Sequence, residues 1–179
     1  QIMSFIDGLE LVKPVVMGCS IGGRVILHLA IRFPEKFKAL IGLQSAVHLD
    51  PYYDISWLHR QDVHGGEVCG GIAYGLMAPT SPENEKFETM WHYMQGGPGI
   101  FKGDLFFYKF DGNIGTEIKK IDNSKCPIFL LTGEYDYSAT PEETKALADT
   151  IGIEMIKMKN VGHFPMSENS EEFLQYLHP

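Results

Sequence analysis

Pro14-Val15-Val16-Met17-Gly18-Cys19-Ser20-Ile21-Gly22-Gly23, running on into Val25-Ile26-Leu27-His28-Leu29-Ala30, decides the fold of this chain. An apolar run passes directly into a helix-like run, with Gly18, Ser20 and Gly22 between them. The pattern predicts a strand, a sharp turn and a helix, with a serine at the apex. Such a turn pushes the Ser20 hydroxyl off the end of a sheet, where a histidine can reach it. It also aims the Ile21 N–H at an oxygen that becomes negative during acyl transfer. The glycines let strand and helix approach without a Cβ clash. G-x-S-x-G alone is a common pattern; the strand–helix context separates it from a serine in a merely structural turn.

A serine nucleophile needs a base, and the base needs an orienting acid. Cys126-Pro127-Ile128-Phe129-Leu130-Leu131-Thr132 is a short apolar run that reads as a buried strand, and Gly133-Glu134-Tyr135-Asp136 follows it. Ile153 to Met158 reads as another strand and leads into Val161-Gly162-His163-Phe164-Pro165. Asp136 and His163 are therefore expected at the sheet rim from which Ser20 emerges, where open α/β sheets bind ligands. Against this, Asp136 can be a turn residue, Glu134 is a rival acid, and His163 can be an ordinary loop histidine. His28 reads as a packed residue of its helix. His48, His59, His64 and His92 fall in the middle region, where they can reach a substrate, and His178 is nearly terminal.

Gly18-Cys19-Ser20-Ile21-Gly22-Gly23, Gly133-Glu134-Tyr135-Asp136 and Gly162-His163-Phe164-Pro165-Met166-Ser167-Glu168-Asn169 together resemble the α/β-hydrolase superfamily. The last two stretches are similar to those of small capped esterases, lactonases and carbon–carbon bond hydrolases. The resemblance implies a mostly parallel sheet with helices on both faces and an inserted helical cap. It also implies a Ser20–His163–Asp136 triad and an acyl-enzyme. The expected substrate is a small apolar or aromatic ester. The same triad also fits lactone opening, carbon–carbon cleavage, or a small-molecule receptor with little turnover. No metal or organic cofactor is implied, and no H-E-x-x-H or clustered Cys/His is present.

The resemblance covers about the C-terminal two-thirds of that fold. In the superfamily several strands and the loop carrying a second oxyanion N–H precede the strand–serine–helix turn, the nucleophile elbow, which here is Gly18 to Gly22. Here Gln1 to Glu10 reads as the tail of the helix before the nucleophile strand, not as a signal peptide. The strand at 13–18 is then expected to need a neighbour, and full activity to need that part of the fold, as another chain or a preceding segment. His64-Gly65-Gly66 lies on the wrong side of the serine for an oxyanion loop and reads as a glycine-rich linker.

The chain has 179 residues, of which 44% are hydrophobic, enough for one core. The net charge of −8 and the lack of a basic stretch argue against nucleic acid. No apolar run is long enough to span a membrane. Cys19, Cys69 and Cys126 fit neither a disulfide framework nor a metal site and read as reduced, which suggests a cytoplasmic protein. Strands are expected at about 13–18, 38–44, 126–132 and 153–158, with a buried helix over about 20–33 that Pro34 ends. Thr140-Pro141-Glu142-Glu143 has the form of a helix start, and Asn169 to Glu172 resembles it.

Between about 50 and 110 the alternation stops. Twelve of the twenty-one aromatic residues fall between Tyr52 and Phe110. The expected division is a core of 1–50 and 111–179 with a helical cap over 51–110, in which Trp57, Tyr74, Trp91 and Tyr93 contact the substrate pocket. Packing of these aromatics into a small core of the cap's own is the alternative.

Overall fold

The computed structural model describes residues 1–47, 65–96, 99–110 and 112–177. The β-rich apolar runs form four parallel strands in the order β1-β2-β3-β4: Val15–Cys19, Ala39–Leu43, Ile128–Gly133 and Met155–Met158. All four coincide with the expected strands, within a residue or two at each end. Helix α1 spans Ile2–Gly8, and α2 spans Ile21–Arg32, stopping just before Pro34. The sheet is thus wound by crossovers, as parallel pairing requires.

The two faces of the sheet differ. Val16, Leu40 and Ile128 are in register across β1, β2 and β3. Their face packs with Ile26, Leu27 and Leu29 of α2 and with Leu147 and Ala148 of α6, Pro141–Ile151. Helix α6 starts with a capping box in which Thr140 Oγ1 accepts from Glu143 N at 3.2 Å and Glu143 Oε2 accepts from Thr140 N at 2.9 Å. The other face carries the row Met17–Ile41–Phe129. Two further helices follow β4: α7, Pro165–Glu168, and α8, Ser170–Leu177. Phe173 of α8 covers only the end of this face near Leu43, Leu131 and Met158. Met17 and Phe129 remain 44% and 48% exposed, and β1 is an edge strand among the described residues.

The middle of the chain adds no strand among its described residues. It forms α3, Gly65–Gly75, α4, Glu83–Met94, and α5, Ile100–Lys109. Gly65 and Gly66 are thus the first turn of a helix, which corrects the linker reading. Five glycines in α3 disfavour a helix in isolation. Contact with α4 overrides this, since a side chain at Gly70 would run into Met90 and Met94.

Candidate active site

Ser20 sits between β1 and α2 with φ 57° and ψ −113°, a conformation that side chains rarely adopt. It is fixed there by two backbone hydrogen bonds: Ser20 N–H donates to Leu43 O, and Arg24 N–H donates to Ser20 O, both at 3.0 Å. The turn is tight enough that a Cβ on Gly18 would collide with the backbone of Gly22. Such strain at an apex serine is the kind held in place at reactive sites.

His163 follows β4 on a loop clamped from three sides. Its own N–H donates to Leu76 O at 3.0 Å. Gln44 Nε2 donates to Gly162 O at 2.7 Å. The buried carboxylate of Glu168 accepts from Phe164 N, Ala78 N and Ser81 Oγ at 2.8, 2.6 and 2.8 Å. Gly162 has no room for a side chain against the backbone of Leu76 and Ala78.

Asp136 comes from the turn after β3. Its Oδ1 accepts from Ser138 N and Ala139 N at 2.8 and 3.1 Å, which leaves Oδ2 facing His163 Nδ1 at 2.8 Å. His163 Nε2 lies 2.9 Å from Ser20 Oγ. Asp136 and His163 are 2% and 4% exposed. The structure therefore brings Ser20, His163 and Asp136 together in one relay. Glu134 is not part of it and accepts from Asn160 N at 3.2 Å. Cys19 lies beside Ser20 and its Sγ donates to His163 O at 3.3 Å. Burial first, then the charges of Asp136 and Glu168, pushes its thiol far up, so it stays neutral and is no rival nucleophile.

A cavity of about 80 Å³ opens above Ser20 and Ile21. Its walls come from Ile72, Ala73 and Leu76, from Phe101, Asp104, Leu105 and Tyr108 of α5, and from Tyr93 and Phe164. Of the expected pocket contacts, Tyr93 is in this wall. Tyr74 is not: its hydroxyl donates to Glu83 Oε1 at 2.7 Å, away from the lining residues. Trp91 is not either, being 60% exposed on α4. Trp57 lies outside the described residues, as do His48, His59, His64 and His178. His92 is exposed and outside the cavity, and His28 is half-buried on α2.

The side chain that sequence reasoning missed is Tyr108, whose Oη lies 3.1 Å from Ser20 Oγ. Phe101, Leu105 and Tyr108 repeat at helical spacing, a stripe legible in the sequence that marks the inward face of α5.

The chain matches no protein-family model and no curated protein sequence. It is similar in structure to a thermophilic esterase from Thermogutta terrifontis, with a TM-score of 0.78 at 20% identity over 98% of this chain and 67% of that one. A hydrolase from Pseudomonas aeruginosa PA01 gives a TM-score of 0.77 at 20% identity, over 99% of this chain and 69% of that one. The enol-lactonase from Burkholderia xenovorans LB400 gives 0.75 at 15% identity, over 98% and 68%. The architecture is that of the α/β-hydrolase fold, and the chain spans about two-thirds of the length of these structures.

Proposed function

We propose that the chain is a serine hydrolase that cleaves a small apolar or aromatic carboxylic ester through Ser20, His163 and Asp136. The observation that carries this reading is the relay of 2.8 and 2.9 Å from Asp136 through His163 to Ser20 at the floor of the cavity. His163 Nε2 takes the proton of Ser20, and the Oγ lone pair attacks the carbonyl carbon. The carbonyl π pair moves onto oxygen, which the Ile21 N–H faces. Collapse expels the alcohol, protonated by His163, and leaves an acyl-enzyme. Water then repeats the sequence with the same proton carrier. Asp136 holds the ring in the tautomer with Nδ1–H and stabilises its charged form.

Lactone opening is the second reading, favoured by the likeness to an enol-lactonase; it differs only in that the leaving alcohol stays tethered. The helices within 51–110 act as a cap, since α5 and Tyr93 roof the serine. The open edge of β1 and the uncovered Met17 and Phe129 suit a further part of the same fold packed there, as another chain or a segment of a longer one. No described helix is long and apolar enough to cross a membrane. All three cysteines are free, which suits a reducing, cytoplasmic compartment.

Hydrolysis of p-nitrophenyl acetate and butyrate, with a γ-lactone alongside, tests the reading. Saturable turnover that Ser20→Ala abolishes without moving the unfolding midpoint is the expected result. Specific binding of such compounds without turnover would point to a receptor instead.

A further inference from the structure

We propose that Tyr108 is a catalytic residue whose hydroxyl supplies a second donor to the oxyanion, beside the Ile21 N–H. The inference rests on the serine-hydrolase reading and adds a group from the cap side of the cavity to it.

Counting protons around Ser20 fixes the direction of the bond. Among the described residues, Oγ has His163 Nε2 at 2.9 Å and Tyr108 Oη at 3.1 Å as side-chain hydrogen-bond partners. A carboxylate only accepts, so Asp136 Oδ2 takes the Nδ1–H of His163. Nε2 of the neutral ring is then an acceptor, and Ser20 commits its single proton there. The contact with Tyr108 therefore needs the phenol as donor.

Attack changes which oxygen holds that donor best. Oγ attacks through its remaining lone pair and becomes an ester-like oxygen, a weak acceptor. The former carbonyl oxygen, bonded to the same carbon, takes the π pair and becomes the strongest acceptor within reach. The phenol shifts to it by a small rotation. No bond to Tyr108 forms or breaks, and its proton stays on the phenol. Collapse of the intermediate returns the pair to the carbonyl and the phenol to Oγ.

The surroundings hold the phenol for this task. Tyr108 is 7% exposed, on the inward stripe of α5. The Arg24 guanidinium lies over its ring at 5.6 Å and is itself fixed by donation from Nη1 to Gly112 O at 3.0 Å. A buried cation over the ring draws electron density from the phenol and makes its O–H a stronger donor. Tyr108 thus offers a second donor from within this chain, after the serine and not before it.

Tyr108→Phe tests the assignment, because the ring stays under Arg24 and only the hydroxyl goes. On p-nitrophenyl acetate kcat is expected to fall on the order of 100-fold, with KM within about threefold. Ethyl acetate should lose as much, because the oxyanion is common to both. Affinity for a trifluoromethyl ketone, whose adduct carries an oxyanion, should fall by a similar factor. A kcat within about threefold of wild type, or a loss confined to the ethyl ester, overturns the proposal; the second outcome would place the phenol on the leaving group. If Tyr108→Phe loses its unfolding transition, 3-fluorotyrosine at 108 keeps the hydroxyl and strengthens it as a donor. A raised kcat below the phenol's titration then supports the role, and an unchanged kcat overturns it. Ser20→Ala is run in parallel. If it leaves turnover and ketone binding intact, or if the wild type shows neither, the hydrolase reading fails and Tyr108 with it. If Ser20→Ala abolishes both while Tyr108→Phe is silent, only the role of Tyr108 fails.

Discussion

The side-chain amide of Gln44 donates to the carbonyl oxygen of Gly162 at 2.7 Å, so the end of β2 holds the residue just before the histidine. Its Oε1 accepts from Thr132 Oγ1 and Gly133 N at 2.8 and 3.0 Å, which ties in the end of β3. Gln44 is 2% exposed and has a φ of 52°. One amide thus joins the three segments that the relay depends on. Gln44→Leu should cost about 1–3 kcal/mol for each buried group left unpaired, read from urea unfolding. Activity should fall in kcat more than in KM, because His163 loses its placement while the cavity walls stay.

Glu168 holds the other side of the same loop. Its Oε2 accepts from Ala78 N and Ser81 Oγ, and its Oε1 from Phe164 N. Glu168→Gln turns one acceptor into an NH₂ that must face a backbone N–H. The loss should be about 1.5–3 kcal/mol, the range for hydrogen bonds to a charged group. Glu168→Asp, too short to reach both Phe164 and Ala78, should not rescue it. An unfolding midpoint unchanged in Glu168→Gln would contradict this account.

Asp136 and Glu134 are both acids at the end of β3, and geometry separates them. Asp136→Asn presents an NH₂ or a poorer acceptor to His163 and favours the wrong tautomer. A fall in kcat of about 10⁴-fold is expected. Glu134→Gln leaves the relay intact, since the Glu134 carboxylate accepts from Asn160 N and bonds to neither His163 nor Ser20 among the described residues. Its kcat should stay within about twofold in the same ester assay, as for other changes outside a site.

Asp104 brings a carboxylate into a cavity wall that also holds the apolar side chains of Ile72, Leu76, Phe101 and Leu105. A substrate whose acyl group carries its own negative charge should be disfavoured there. In water two unit charges 4 Å apart interact by about 1 kcal/mol, or roughly fivefold in kcat/KM. Comparison of p-nitrophenyl hemisuccinate with the butyrate ester measures the discrimination. Asp104→Asn should narrow the ratio, and added salt should narrow it in the wild type. A ratio untouched by both would remove Asp104 from substrate selection.

The fold and the relay were legible because each rests on local chemistry. The elbow needs Gly18 for close approach, the strands are runs of apolar residues, and Thr140 with Glu143 forms the capping box that their spacing predicts. The pocket wall was less legible. Tyr74, Trp91 and Tyr93 are alike in composition, and only the packing of α3, α4 and α5 decides that Tyr93 faces the serine. The start of α3 was hidden for a different reason: Gly65 and Gly66 signal a break locally, whereas contact between α3 and α4 rewards small residues. The bond from Tyr108 to Ser20 joins residues 88 positions apart and has no local signature.

Acid stability should report on His28. Its Nε2 is buried and has no hydrogen-bond partner among the described residues. Its pKa is lowered from the ordinary 6.5, first by burial and then by the charges of Arg32 and Arg24. The Gly112 carbonyl and Glu117 act in the opposite direction and are outweighed. With the folded value below the unfolded one, the unfolded chain binds the proton first as pH falls. The folded state therefore keeps its full stability above the unfolded value and loses it as pH drops through the folded value. In the window from about pH 6.5 to 5, above most carboxylate titrations, the unfolding midpoint in urea should decline. His28→Gln removes the titrating ring and keeps an amide for the Gly112 carbonyl, so its midpoint should be flatter with pH over that window. Parallel curves for the two proteins would mean that His28 is solvated enough to take its proton without cost.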